Sequence, residues 1–451
     1  MILVVSHLQR LNGNSMMKRV LIVFLIIVAT TIFAEPGDDI HTSGISKVQL
    51  YATNQYSNNK NYTVIEHYSY QPWNRELCAI TRYLKHHPKD SVTKRIKYIV
   101  RQFINRPYAV DTNIEGESDW SVAKKRGGVH VKQDPIYRTD KFNCQTLVQT
   151  ILALLHSTTL NSFQHNILEV EYGGGVAGNA IHYYNRNNFV SADFNKVNER
   201  HGFLQNVTPS FLPKVHALID KDNWFNVQAK KLQTSVRVLN DRNGAAMAKR
   251  FAHYAMLYPF AKKDVVLHYY RKEDLVHCNA DLSHCKPNKK NIAKLTTPAV
   301  IEITRDANKW MVGGKPIVDI IGTQLNVSHL GILYDQRFHH GEVIYQKITC
   351  HFEGNKKVCQ VKPIVCQKTK GCREKMYLEA TDAYPNGYYY YQDNHGHYQC
   401  TDKAPNSRDN LVYCNRVLAM PIGAYLNSYE YGAYRYMTDP SIVGIHLEKI
   451  L

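Results

Sequence analysis

The sequence predicts an α+β protein in which a helix that begins at a cysteine packs on an antiparallel sheet that carries a histidine. Apolar residues recur at helical spacing in the first half of the chain, from Val92 to Ile104 and again after Cys144. β-Branched or alternating runs, bounded by turn residues, follow in the second half, at Ala299 to Thr304, Ser328 to Tyr334 and Glu342 to Ile348. The chain order is therefore cysteine helix first and histidine strand later.

The N-terminal 34 residues have the pattern of a secretory signal peptide. Lys18 and Arg19 precede an apolar stretch from Val20 to Phe33, and the small residue Ala34 follows it. This stretch is too short for a spanning helix, so we expect cleavage after Ala34, with an uncleaved N-terminal anchor as the alternative. The prediction is export to the periplasm or the outside, with no stable membrane span after cleavage.

The composition is that of a folded globular protein. Of the 451 residues, 44% are hydrophobic and 21% are charged, which argues against disorder and against several membrane spans. Because no Pro-rich or Gly/Ser-rich linker divides the chain, one large domain with inserts is expected. We predict a signal peptide at 1–34, an N-terminal extension at 35–90 and a domain at 91–451, interrupted by insertions at about 209–295 and 350–413.

The cysteines fall into two groups. In an exported chain, cysteines are first interpreted as disulfide partners because the compartment is oxidising. Local pairing is the simplest interpretation for the eight in the second half: Cys278 with Cys285, Cys350 with Cys359, Cys366 with Cys372, and Cys400 with Cys414. Cys78 and Cys144 stand apart, and they either bridge each other or remain free.

The net charge of +18 comes from 56 basic and 38 acidic residues. Such a surplus attracts polyanions or anionic surfaces, although it equally serves to keep the surface solvated. No helix-turn-helix, zinc-finger or RNA-binding signature accompanies it, so nucleic acid is not an expected partner. Anionic envelope polymers fit an exported chain better.

The surroundings of Cys144 are typical of a reactive thiol. Asn143, Cys144 and Gln145 belong to a polar turn that runs directly into an apolar helix. A thiol at a helix N-terminus beside an imidazole ionises readily, and the thiolate is the nucleophile. Backbone N–H groups at the same helix end can stabilise an oxyanion. An inert structural cysteine more often lies within the apolar stripe.

His329 is the candidate base. It interrupts the strand-like run from Val327 to Tyr334, and Gly331 in the same run permits a close approach of backbone or substrate. A lone histidine in a strand is more often structural, so the assignment depends on its surroundings.

Four blocks of the sequence, in this order, resemble the N-acetylmuramoyl-L-alanine amidase-like branch of the NlpC-type, papain-like cell-wall cysteine hydrolases. They read PIYRTDKFNCQTLVQTILAL, NRNNFVSADFNKVN, NVSHLGILY and MTDPSIVGIHLEKI, and the resemblance covers about residues 95–208, 296–349 and 411–451. It implies a papain-like NlpC-type core and hydrolysis of the amide between N-acetylmuramic acid and L-alanine, preferentially in anhydro-muropeptide fragments of peptidoglycan. It also implies Cys144 as nucleophile, His329 as base and Tyr108 as a residue that shapes the site.

A third polar residue usually orients the imidazole from the next strand. Our candidate is Gln346, at a place where family members commonly carry a histidine, with His351 and Lys347 as alternatives. Lysine ranks last because it would repel an imidazolium. Asn143 stands where an aspartate commonly precedes the cysteine, and we expect it to contact the substrate.

Arg186 and Asp193 are further candidates for substrate binding, through recognition of stem-peptide carboxylates, with structural pairing as an equal alternative. No cofactor is expected. Metal-dependent catalysis is disfavoured because the sequence has no HExxH or similar ligand set, although His339, His340, His395 and His397 lie close together in pairs.

Two alternatives to the amidase stay open. An NlpC-type endopeptidase would keep the same fold and cut within the stem peptide. A non-catalytic envelope-binding or adhesion protein would present its disulfide-rich segment as the contact surface, and in that case Cys144 would be bridged or unreactive. The sequence does not indicate an oligomeric state.

Overall fold

The structure is a computed structural model that describes residues 62–64, 73–108, 129–131, 137–173, 186–224, 227, 260–279, 285–353, 356–381, 389–392, 398–401, 412–413, 416–426 and 439–451. The predicted signal peptide at 1–34 lies outside the described residues. Within them, no helix combines the length and the apolar character needed to cross a membrane.

The helices gather mainly in the first half of the chain. In chain order they are α1 (Asn74–His86), α2 (Val92–Phe103), α3 (Cys144–Leu155), α4 (Leu160–Tyr172), a π-helical turn (Val190–Phe194), α5 (Asn195–Arg200), α6 (Lys272–Leu275), α7 (Lys289–Ile292), α8 (Ile317–Ile321) and α9 (Ile422–Leu426). α2 begins where the Ser91 side chain accepts from the Lys94 amide, and it ends before Pro107, as its apolar spacing predicts.

The strands dominate the second half. They are β1 (Tyr62–Val64), β2 (Val129–Val131), β3 (Leu204–Asn206), β4 (Lys214–Ile219), β5 (Lys263–His268), β6 (Tyr270–Arg271), β7 (Val276–Cys278), β8 (Cys285–Pro287), β9 (Ala299–Arg305), β10 (Met311–Val312), β11 (Lys315–Pro316), β12 (Val327–Phe338), β13 (Val343–Glu353), β14 (Lys356–Val365), β15 (Cys372–Thr381), β16 (Tyr389–Gln392), β17 (Tyr398–Thr401), β18 (Val412–Tyr413), β19 (Arg416–Pro421) and β20 (Ile442–Ile450).

One antiparallel sheet organises the molecule. Its strand order is β19-β15-β12-β9-β20-β3, and β6 also pairs with β20. The other described strands form smaller sheets, including the hairpins β4-β5, β7-β8 and β13-β14. The predicted α+β class is therefore confirmed, with helices from the first half packed against an antiparallel sheet from the second.

The main sheet is covered on both faces. Leu330 and Ile332 of β12 join a hydrophobic cluster with α3, every residue of which is buried, including Leu147 and Ile151. Leu333 of the same strand joins a second cluster on the other face, together with Leu447. Because side chains alternate between the faces of a strand, this division places β12 at the centre of the core.

The predicted insert at 350–413 differs from the structure. Residues 372–381 form β15, which lies between β12 and β19 inside the main sheet. The hairpin β13-β14, by contrast, forms a separate two-stranded sheet. The sequence analysis placed this strand in the insert because cysteines surround it. Cysteine spacing does not distinguish a disulfide-rich segment from a strand of the core sheet.

One of the four local disulfides that the sequence suggested is observed, and two further pairs face each other across hairpins. Cys366 and Cys372 are bonded to each other. Cys278 is disulfide-bonded and lies opposite Cys285 in the β7-β8 register, and Cys350 lies opposite Cys359 in the β13-β14 register. Cys78 and Cys144 are both free thiols, so the bridge between them that the sequence left open does not form.

Candidate active site

Cys144 is the first residue of α3, and a reciprocal cap holds it there. The Asn143 side chain accepts a hydrogen bond from the Thr146 amide at 2.8 Å, and the Thr146 hydroxyl accepts one from the Asn143 amide at 3.0 Å. The Cys144 side chain is thus positioned at the positive end of a buried helix, with 8% of its surface exposed.

The same cap determines which backbone donors remain at this helix end. The first N–H groups of a helix have no partner within the helix. The cap satisfies the amides of Asn143 and Thr146. Among the residues that the structure describes, the amides of Cys144 and Gln145 are therefore the donors left beside the sulfur.

His329 lies at a register shift between β12 and β9. The shift falls between Val327 and His329 and marks a bulge or irregularity, a feature that re-aims side chains next to functional sites. The imidazole Nε2 is 2.6 Å from a carboxylate oxygen of Glu379 on β15, and because a carboxylate only accepts, Nε2 carries the proton. The Glu379 side chain is almost wholly buried.

Gly331 allows β15 to come this close. A Cβ at this position would lie 2.2 Å from the Tyr377 ring and 2.5 Å from the carbonyl oxygen of Leu378. Any other residue would push β15 away from β12, and with it the carboxylate of Glu379. The predicted use of Gly331 for a close approach is thereby confirmed.

His329 also interacts with Cys144. Nδ1 is buried and bonds to no oxygen or nitrogen of the described residues. Burial by itself lowers the pKa of His329, but the charge and hydrogen bonding of Cys144, followed by those of Glu379, raise it to about 10. This arrangement favours a protonated imidazole between the sulfur and the carboxylate.

Two tyrosines complete the surroundings. Tyr108 forms an isolated parallel bridge with Phe142, two residues before Cys144, and is nearly buried. Burial, followed by interactions with Tyr425, Glu379 and Cys144, raises the pKa of Tyr377 well above its ordinary value of 10.0. The Tyr377 hydroxyl therefore stays neutral beside the thiol.

Glu379 takes the place that the sequence analysis gave to Gln346. Gln346 lies on β13 opposite Pro363, in the separate hairpin and not in the main sheet. The alternatives His351 and Lys347 lie on the same strand, opposite Val358 and Lys362. The strand that follows β12 in the chain is therefore not its neighbour in the main sheet, and the carboxylate that bonds His329 comes from β15.

The other predicted binding residues have structural partners. Asn143 is the N-cap described above. Arg186 is fully buried, with Nη2 at 2.7 Å from Glu171 and 3.0 Å from Gln149, so its guanidinium is not available to a substrate.

Asp193, on the π-helical turn, is buried and faces Lys221 at 3.3 Å and Lys263 at 3.7 Å. Burial lowers the pKa of Lys221, and Asp193 opposes that shift. The structural alternative that the sequence left open is therefore the observed one for Arg186 and Asp193 alike.

A sequence signal for Glu379 does exist. It is the only charged residue in the run from Met376 to Thr381, whose members are otherwise buried apolar or hydroxyl side chains. A carboxylate is almost never fully buried without a partner. The run predicts that Glu379 has a partner, but it does not say which residue that is.

Comparison with known proteins places the chain in a family. Superposition on a solved structure of a Legionella pneumophila protein gives a TM-score of 0.50 at 21% identity, and it covers 84% of this chain and 95% of that one, which supports a common fold. An N-acetylmuramoyl-L-alanine amidase from Bacteroides uniformis gives a TM-score of 0.34 at 15% identity, over 80% of this chain and 98% of that one, which is too low to relate the folds.

No curated protein matches the sequence. Residues 98–364, more than half of the chain, match the family described as N-acetylmuramoyl-L-alanine amidase-like. The matched range includes Cys144 and His329 and ends before Glu379. The chain therefore belongs to the N-acetylmuramoyl-L-alanine amidase-like family.

Proposed function

We propose that the protein is a cysteine-dependent peptidoglycan amidase that hydrolyses the amide bond between N-acetylmuramic acid and L-alanine. Two observations support the proposal: the free thiol of Cys144 lies at the start of α3 and raises the pKa of His329 by its charge and hydrogen bonding, and Glu379 holds the His329 imidazole through Nε2. The family supplies the substrate class.

The first chemical step is acylation of Cys144. In the resting pair the thiol proton has already passed to Nδ1 of His329, and the thiolate attacks the carbonyl carbon of the lactyl group on N-acetylmuramic acid. As the C–N bond breaks, the Nδ1 proton moves to the departing nitrogen of L-alanine. The stem peptide leaves with a free amine, and a thioester remains on Cys144.

The second step is hydrolysis of that thioester. Nδ1 of His329 takes a proton from water, and the oxygen attacks the thioester carbon. The C–S bond breaks, the sulfur takes the proton from Nδ1 of His329, and the muramic acid product leaves as a carboxylic acid that releases its proton to solvent. Glu379 does not transfer a proton in either step, because its hydrogen bond to Nε2 holds the ring and stabilises its charged form.

The amides of Cys144 and Gln145 are the proposed oxyanion donors. Both belong to the first turn of α3, where the helix dipole favours negative charge. Fixed donors of this kind stabilise the charge that develops on the carbonyl oxygen during attack. Tyr108 is proposed to shape the substrate side of the site, since it is bridged to Phe142.

A cysteine at the start of a helix that packs on an antiparallel sheet, with the histidine and its carboxylate partner on adjacent strands, supports assignment to the papain-like NlpC type. The domain remains proposed at 91–451, after a signal peptide at 1–34 and an extension at 35–90, with β15 counted in the core. The proposed location is outside the cytoplasm, in the periplasm or secreted, where peptidoglycan fragments are the partner.

Digestion of purified anhydro-muropeptides tests the proposal. The mature protein should release free stem peptide, detected by mass spectrometry, and Cys144→Ala should release none. Cys78→Ala, which removes the other free thiol, is the matched control and should retain full activity. If Cys144→Ala cut as fast as the wild type, the mechanism would have to be abandoned.

The products also distinguish the alternatives. Fragments cut within the stem, in place of intact stem peptides, would indicate the endopeptidase. If no product formed and peptide mapping after iodoacetamide treatment of the native protein found Cys144 unmodified, the non-catalytic binding protein would be favoured. Modification of Cys144 together with release of stem peptide supports the amidase.

A further inference from the structure

A second polar group lies within the core, away from Cys144. Glu302 on β9 is opposite His446 on β20, and Glu448 lies two residues further along β20. All three residues have no exposed surface. One nitrogen or oxygen of each lies within 4.8 Å of the others. We call these three residues the Glu-His-Glu cluster.

The hydrogen bonds of His446 leave one ring nitrogen without a proton. Nδ1 lies 2.7 Å from the carbonyl oxygen of His268, which only accepts, so Nδ1 carries the ring proton. In a neutral ring, Nε2 then presents a lone pair, and it lies 2.9 Å from a carboxylate oxygen of Glu448. Two acceptors at this distance require a positive centre between them, either a proton or a metal ion.

Further acceptors around this centre lack partners. Both carboxylate oxygens of Glu302 and one of Glu448 have no hydrogen bond within the described residues. The side chain of Asn195, which is 3% exposed, interacts with Glu302. Buried carboxylate oxygens that receive no hydrogen bond of normal geometry indicate a missing cation.

The negative charge of the Glu-His-Glu cluster also indicates a bound cation. Glu302 and Glu448 are both wholly buried, and the side chain of Glu199 interacts with each of them, which adds a third acidic group beside the cluster. Buried carboxylates are normally paired with cations or coordinate metals. A divalent ion would neutralise Glu302 and Glu448 together, whereas a single proton would leave one of them charged.

We propose that the Glu-His-Glu cluster binds one divalent metal ion of the zinc class, with the side-chain oxygen of Asn195 as fourth donor. Imidazole with carboxylate oxygens suits zinc better than calcium or magnesium, which prefer oxygen alone. Zinc bonds of about 2.0–2.2 Å place ligand atoms roughly 3.4 Å apart. This separation lies between the 2.9 Å that separates His446 Nε2 from Glu448 and the 4.8 Å within which all three ligand atoms fall. The His446–His268 hydrogen bond matches the outer contact that ligating histidines usually make.

The ion has a structural role. Four protein donors leave no open position for a substrate. It joins β9 to β20, and Glu302 is paired with Leu330, the residue next to His329. Metal binding therefore stabilises the sheet beside the proposed base without taking part in the reaction.

Metal analysis of the full mature chain tests the proposal. Elemental analysis of protein refolded with Zn²⁺ and desalted should find about one zinc per chain, and chelation should lower Tm. Glu302→Gln and His446→Gln should lower the zinc content to near background. Glu379→Gln, which alters the other buried His–Glu pair, is the matched control and should keep its zinc.

Two results would overturn the proposal, and neither depends on a variant that fails to fold. One is wild-type protein that holds no metal after refolding with Zn²⁺ and whose Tm is the same with Zn²⁺ and with chelator. The other is zinc that binds equally well to Asn195→Ala and His446→Gln, since that zinc would lie elsewhere. The first result would assign protons to the cluster.

Discussion

Two buried His–Glu pairs lie in the same sheet and differ in one contact. His329 and Glu379 are 2.6 Å apart across β12 and β15, and His446 and Glu448 are 2.9 Å apart along β20. Nδ1 of His329 is left for the sulfur of Cys144, whereas Nδ1 of His446 is held by the carbonyl of His268.

This difference indicates that burial and residue type do not by themselves determine the function of a His–Glu pair. A histidine whose second nitrogen meets a thiol can exchange a proton with it, which is the basis of nucleophilic catalysis. A histidine whose second nitrogen is fixed on a carbonyl presents only a lone pair at the first, which is the state that binds metals. The group that interacts with the ring nitrogen not facing the glutamate therefore determines which function each His–Glu pair can serve.

The largest expected effect comes from Glu379→Gln. The side chain keeps its size but loses its charge, so the imidazolium is less stable and the ring can take the wrong tautomer. We expect kcat on anhydro-muropeptide to fall about 10²–10⁴-fold, with the fold retained by circular dichroism.

Glu448→Gln is the matched change at the other pair. It should alter thermal stability and zinc content. The kcat of the folded protein should stay within about threefold of wild type, a change of less than about 1 kcal/mol in activation free energy. An equal loss of kcat in both variants would contradict the division between the two pairs.

Arg186→Met tests whether a buried ion pair that is remote from the thiol contributes to chemistry or to folding. The substitution leaves Glu171 buried without its cation, so the free energy of unfolding should fall by about 3–5 kcal/mol, measured by urea denaturation. Adding Glu171→Met should recover part of the loss. A substrate-binding arginine would instead raise KM with little change in stability.

The pH dependence follows from the raised pKa of His329. The contacts of the charged ring stabilise the fold fully below its ordinary pKa of 6.5, and this contribution is lost as the pH rises to about 10. Activity should decline about tenfold per pH unit above the folded pKa. Unfolding at a series of pH values should show a smaller loss, complete at lower pH, in Cys144→Ala, since Cys144 causes the largest increase in the folded pKa. Superimposable curves would argue against the contact.

The smallest effect is expected for Gln346→Ala. Glu379 already occupies Nε2 of His329, and Gln346 lies on the separate hairpin. We expect kcat/KM to change by less than about twofold, which is well under 1 kcal/mol. A loss comparable with that of Glu379→Gln would restore the original assignment of the third residue.

The candidate site was predictable to the extent that its signals were local. A polar turn before an apolar helix was enough to place the thiol of Cys144 at a helix start, whereas the cap formed by Asn143 and Thr146 was seen only in the structure. His329 was singled out because it interrupts a strand. Glu379 lies 50 residues further along, and the sequence shows only that it is a charged residue in a buried run.

Arg186 shows the opposite error. Its block resembled the family, and a charged side chain in such a block was interpreted as a ligand for substrate carboxylates. The partners that bury it, Glu171 and Gln149, lie on other helices. No spacing rule connects them, because distances between helices depend on how their faces pack.

By itself the sequence determined the α+β class, the helices α2 and α3, much of the strands β9, β12 and β13, and the position of a cysteine at a helix start, because each depends on spacing within about a dozen residues. Only the tertiary structure decided that β15 belongs to the core, that Glu379 contacts His329, and that Glu302 meets His446 and Glu448. These contacts depend on which strands lie side by side and in what register. Packing of both sheet faces sets that register, and local periodicity does not encode it.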